Sequence, residues 1–154
     1  MDKIAFKIAI LLLFCIGCIG CGHALILKGT AKIQDVGLRS TVEKYYDLES
    51  TNSWNATYIM RTKSYQSTVP IEYYMDKMKK DNQGWRLIEI DVISTNKEND
   101  VINIKLRFRE EYRKDNKRKI VVTEEDTSWI KVDGTWHTIM PGARGRLSLN
   151  FNIA

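Results

Sequence analysis

The sequence predicts an α+β domain, with helices packed on one face of a meandering antiparallel sheet. Three observations carry this. Apolar residues recur at helical spacing, with cap and stop residues, as far as Gly84. Beyond Gly84 the period falls to two, as in half-buried strands. Asp133-Gly134 between alternating segments is a two-residue hairpin signal. Helices first and strands afterwards is the α+β order.

The chain opens with a leader. Lys3 and Lys7 flank the start of an apolar run from Ile8 to Cys21 that ends in small residues, the pattern of an export signal. All three cysteines, Cys15, Cys18 and Cys21, lie in it. The steps Gly17-Cys18 and Gly20-Cys21 resemble the bacterial lipobox, although Cys15 or Cys18 stands where that pattern prefers Leu. The resemblance implies lipidation at Cys21, or alternatively at Cys18. Acyl chains contribute about 0.8 kcal/mol per buried methylene and would hold the domain on a membrane. Two other outcomes stay open: cleavage after Ala24, and an uncut anchor over Ile8 to Leu27, roughly long enough to span a bilayer. The Cys-x-x-Cys-x-x-Cys spacing lacks the fourth ligand and polar surround of a metal site. Residues 1–21 are therefore the export signal or anchor and 22–37 a polar tether. The expected location is the exported side of a bacterial cell envelope.

After the leader, about 125 residues suffice for one domain with a real core. No cysteine follows Cys21, so burial alone must hold it together. The formal charge is +5, and +4 once Asp2, Lys3 and Lys7 are discounted. Such a mild excess suits a surface facing anionic lipid or envelope polymer, and equally ordinary solubility.

Ser40-Thr-Val-Glu43 has capping-box spacing and predicts a helix start. Leu38, Val42, Tyr45, Tyr46 and Glu49 share one side of that helix. Asn52 to Tyr58 predicts a second short helix. The third has Pro70 in its first turn, Glu72 near its start, Lys77, Lys79 and Lys80 near its end, a stripe of Ile71, Tyr74, Met75 and Met78, and Gly84 as stop. Strands are expected over Trp85 to Ser94, over Ile102 to Tyr112 and from Arg118 towards Val132. The turns between them are Asn96 to Asp100 and Lys114 to Lys117. The last strand runs through Trp136-His137-Thr138-Ile139. In the tail, 141–154, Leu147, Leu149, Phe151 and Ile153 alternate with polar residues and predict one more strand. It would pair on the same sheet or add to another chain.

A capped Tyr-rich helix, a short Trp helix, a helix near Pro70 and long strands ending in Trp129-Ile-Lys-Val-Asp-Gly-Thr-Trp136 are together similar to the nuclear transport factor two-like (cystatin-like) superfold, over roughly residues 38–140. They look especially like the small envelope lipoproteins that carry it. The resemblance implies a curved sheet enclosing a cone-shaped pocket, for which Tyr45, Tyr58, Tyr65, Trp129 and Trp136 are the expected lining. Relatives include isomerases, dehydratases, small-molecule binders and secretion-machine parts, so fold does not choose the function.

Enzymes of that fold place an acid/base in the cone. The carboxylates available on strands are Asp91, Glu110, Glu124, Glu125 and Asp126, and His137 is the histidine outside the leader region. Alternation turns either Glu124 with Asp126 or Glu125 inward, according to a register the sequence leaves open. An inward Glu124/Asp126 pair would raise one pKa, as general acid/base chemistry needs. Otherwise these acids are solvated and pair with Arg107, Arg109 or Arg113. No phosphate loop, metal spacing or Ser/His/Asp order is present, and no cofactor is expected. The basic run Arg113 to Lys119 is interrupted by acids, against a nucleic-acid groove. It makes a hairpin tip for headgroups, a protein partner or solvent, and the tail is the other expected partner surface. Asn55-Ala56-Thr57 is a glycosylation sequon with meaning only in a eukaryotic secretory pathway.

The leading expectation is thus a non-enzymatic, membrane-tethered binding or assembly domain. The alternatives are a structural part of an envelope secretion or conjugation apparatus with an uncleaved anchor, and a cone-pocket isomerase or hydrolase using Asp91 or Glu124/Asp126.

Overall fold

The computed structural model describes residues 24–115 and 117–139. The leader with its cysteines and the expected 141–154 strand lie outside them. The fold is α+β, with four helices and a five-stranded mixed sheet.

Helix α1, Val36–Ser50, begins at Asp35, whose Oδ1 accepts a hydrogen bond from Leu38 N at 2.7 Å. This corrects the expected start at Ser40: the Asp caps the chain a turn earlier and leaves the Ser-x-x-Glu sequence inside the helix. All five residues of the expected stripe, Leu38, Val42, Tyr45, Tyr46 and Glu49, are buried. Helix α2 is Trp54–Ile59 and α4 is Ile71–Asp81, with Pro70 as its N-cap. Between them α3, Lys63–Thr68, was not expected. It is one and a half turns long, too short to show a period, and Thr62 caps it by accepting from Tyr65 N at 3.2 Å.

The sheet runs β1-β2-β3-β4-β5, with β1, Ile26–Lys28, parallel to β2, Trp85–Glu98. Antiparallel pairing then continues through β3, Val101–Lys114, β4, Lys117–Val132, and β5, Thr135–Thr138. The expected tether is corrected here. Ile26–Lys28 is an edge strand, Ile33 is buried in the core, and Asp35 caps α1. Leu25, Ile26 and Leu27 continue the leader's apolar run in sequence, which hides a strand made of them. The β2–β3 turn is tighter than expected and falls at Asn99, at φ 53°. Asp133 and Gly134 both take positive φ, 48° and 79°, as a two-residue hairpin requires.

The main core lies between α1 and the inner sheet face. Leu38, Val42, Tyr45 and Tyr46 meet Leu87, Ile90, Val92, Ile104, Leu106, Phe108, Trp129 and Trp136. A second cluster of Tyr58, Val69, Tyr74 and Met78 binds α2, α4 and the segment between them.

Candidate functional site

The strand register decides where the acids point. Leu106, on the inner face, stands opposite Glu125, while Arg107 stands opposite Glu124 and Lys105 opposite Asp126. Glu125 therefore turns inward and Glu124 and Asp126 turn outward, so the inward acid pair does not form. Glu124 accepts from Arg107 Nε and Nη2 at 2.9 and 2.7 Å and pairs with Lys105 at 3.3 Å. Hydrogen bonds from Arg107 and then Lys105 hold its carboxyl below the ordinary range. A carboxylate held ionised cannot act as the acid that pairing was to create. Asp91 stands opposite Arg107 on its other side, on the same outer face. His137 stands opposite Ile130, with Nδ1 3.2 Å from the Arg61 carbonyl. Asp91, Glu124 and Asp126 thus belong to an outer charge ladder, and His137 sits at the β5 edge.

Four of the aromatic residues expected to line a pocket, Tyr45, Tyr58, Tyr65 and Trp129, pack against other rings instead. Tyr45 packs edge-on against Trp129 at 5.5 Å and Tyr46 at 5.1 Å, and Tyr46 meets Phe108 at 5.6 Å. Tyr58 meets Tyr65 at 6.4 Å and Tyr74 at 5.3 Å. Joining the two sets is Arg61, a residue no sequence pattern singled out. Its guanidinium lies 5.5, 5.3 and 5.7 Å from the ring centres of Tyr45, Tyr65 and Tyr74. Its Nη2 donates to Tyr45 Oη at 2.6 Å. Burial works against the Arg61 charge, but Tyr45, Tyr74 and Glu49 outweigh it and hold the pKa above the usual value. Burial likewise pushes the Tyr45 hydroxyl well up, against the pull of Arg61. The backbone at this point joins the sheet: Thr138 N donates to Met60 O at 3.1 Å, and Arg61 bridges to Thr138. Arg61 is thereby the seam between the helices and β5.

Space remains at the sheet end formed by the β2–β3 turn. There a groove of about 610 Å³ runs between the start of α1 and the sheet, walled by Ile33, Asp35, Lys97, Ile102, Lys131 and Trp136. Of the residues expected to line a pocket, it contains Trp136. Asp35 Oδ1 accepts from Trp136 Nε1 at 3.3 Å as well as capping α1. The bond from Leu38 N is the main reason its carboxyl lies below the ordinary range. Lys131 Nζ sits 5.7 Å from the Trp136 ring centre. An aromatic floor with cations and carboxylates at its rim suits an organic ligand with an apolar body and charged ends. Asp35, Lys97 and Lys131 come from three separate segments, and no sequence spacing announces them.

The opposite sheet end carries a different constellation. Glu111, on the outer face, is ringed by Arg86 at 3.3 Å, Arg113 at 2.5 Å and Arg118. Burial pushes its carboxyl up, and the three guanidiniums more than cancel that and hold it down. Beyond it Arg113, Lys114, Asp115, Lys117 and Arg118 enclose a recess of about 470 Å³ at the hairpin tip. Gly84, at φ 69°, lets the α4–β2 turn lie against this strand, with Arg113 N donating to Gly84 O at 2.7 Å.

The sequence matches no family model and no curated protein. Among solved structures, it is similar to the solution structure of a SEC-C motif-containing protein from Rhodopseudomonas palustris. The TM-score is 0.51 at 9% identity, over 62% of this chain and 69% of that one. At that identity the likeness concerns the fold alone.

Proposed function

We propose that the chain is a non-enzymatic binding domain tethered to a bacterial cell membrane by its cysteine-bearing leader, with the groove beside Trp136 as its ligand site. In this reading the sheet wraps its helices in the cystatin-like manner, and the two register shifts in β2, between Leu87 and Glu89 and between Val92 and Ser94, would supply the curvature.

The observation that carries the reading is the contrast between a closed interior and an open end. Tyr45 and Trp129 occupy the space where a catalytic cone would be, and the outward acids are tied to Arg107 and Lys105. A groove of about 610 Å³ stays accessible, within the size of small-molecule sites. The tether rests on the leader alone. Among the described residues no helix is long and apolar enough to cross a membrane.

Intact-mass measurement of the chain extracted from bacterial membranes tests the tether. The expected product begins at Cys21 or Cys18 and carries acyl chains. Met1 retained in the membrane would favour the anchored apparatus component. Met1 retained on a cytosolic protein would end the proposal. For the ligand site, crystals soaked with zwitterionic aromatic fragments should show them on Trp136; fragments gathering elsewhere and never there would count against it.

A further inference from the structure

We infer that the β3–β4 hairpin tip is a docking surface for anionic lipid headgroups, so that the domain lies tip-down on the membrane that its leader enters. This rests on the tethered reading above.

The first support is where the charge sits. Arg86, Arg113, Lys114, Lys117, Arg118 and Lys119 stand with Glu110, Glu111 and Asp115, a local net of +3. The remaining described residues hold fourteen Lys and Arg against fifteen Asp and Glu. The body is therefore slightly acidic and the tip strongly basic. A field with that polarity turns the tip towards a negative surface.

The second support is how the arginines are held. Arg113 and Arg118 both meet Glu111 through Nε, while their side chains remain 65% and 60% exposed. That leaves the outer Nη pair of each guanidinium without a partner among the described residues. A guanidinium fixed at one edge and open at the other is preorganised for a phosphate oxygen pair. Lys114 and Lys117 flank the recess and add point charges.

Chain direction supplies the third. β1 runs parallel to β2, with Ile26 opposite Glu89 and Lys28 opposite Asp91. Followed backwards from Ile26, the chain heads for the end where β2 begins. That end carries the tip, because Trp85 pairs with Tyr112 and Lys114 with Lys117. The groove beside Trp136 lies at the other end of a 14-residue strand, about 45 Å away for extended chain. The first described residues thus lie towards the end that carries the basic tip, and the groove lies at the other.

The test uses the full chain in nanodiscs of phosphatidylcholine, with and without phosphatidylglycerol. Acylation rates are read at each lysine by mass spectrometry. Lys114, Lys117 and Lys119 should be protected about tenfold in the anionic discs, and the protection should vanish in about 0.5 M salt. Lys97 and Lys131, at the groove, should react alike in both discs. Equal rates at the tip in both discs would overturn the inference. So would protection already present in neutral discs, which would mean something other than anionic lipid covers the tip. Protection by millimolar inorganic phosphate in neutral discs would assign the tip to a soluble anion and overturn lipid. A chain that does not stay with neutral discs defeats the tethered reading instead. Sedimentation with phosphatidylglycerol vesicles then decides the tip alone, where K114Q/K117Q/K119Q must weaken binding about tenfold or more.

Discussion

Arg61 and Glu111 are withdrawn from water to the same degree, each 1% exposed, yet their surroundings are opposites. Arg61 is a cation walled by the rings of Tyr45, Tyr65 and Tyr74 in the helical layer, beside the buried Glu49. Its neighbours are themselves fixed by packing, so its charge is spent on joining helices to β5. Glu111 is an anion covered by arginines whose own side chains are 34%, 65% and 60% exposed. Its neighbours stay in water and keep most of their charge for something else. A buried charge among buried partners holds the fold; a buried charge under exposed cations arranges a surface.

The sharpest way to break this comparison is Arg61→Met. It keeps volume but leaves Glu49 and the Tyr45 hydroxyl without their cation, and should cost about 3 kcal/mol in urea unfolding. A loss under about 1 kcal/mol would show that the inner cluster is not what holds the seam. Tyr45→Phe keeps the ring contacts and removes the 2.6 Å bond from Arg61, so about 1 kcal/mol is expected in the same assay.

Glu111 sharpens the contrast through pH. Its folded pKa is depressed below the ordinary 4.5, so the stability it contributes is present above that value. The contribution fades as pH falls through the lower folded value. Thermal unfolding of Glu111→Gln should therefore approach that of the wild type as acidity rises, with the gap widest at neutral pH. A gap independent of pH would contradict the ion-pair role. The smallest effect belongs to the outer ladder. Asp126→Asn should change stability by less than about 0.5 kcal/mol and leave fragment binding at Trp136 intact. A loss of binding would return the outer acids to consideration as a site.

Much of the scaffold was legible because one period dominated each stretch. Val42, Tyr45, Tyr46 and Glu49 marked the buried side of α1, and Ile104, Leu106 and Phe108 that of β3. The direction of β4 was not legible. Ile120, Val121 and Val122 are apolar at both parities and Thr123 to Ser128 polar at both, so only pairing with Leu106 and Arg107 settles which acids turn in. Glu110 and Glu111 show the same limit. They are neighbours of one type, buried on opposite faces, the first accepting from Trp85 Nε1 and the second from arginines. Arg61 was illegible because its environment is made by residues as far apart in sequence as Tyr45 and Thr138. The groove was missed for the same reason, since it forms where the start of α1 meets four strands.

The proposed orientation sets the basic tip against the membrane and the groove facing outward. Amide signals of the full chain in anionic nanodiscs containing a gadolinium-bearing headgroup lipid test it without any substitution. Lys114 and Lys117 should broaden strongly while Asn99 and Asp100 stay sharp; broadening at Asn99 and Asp100 with a sharp tip would contradict it.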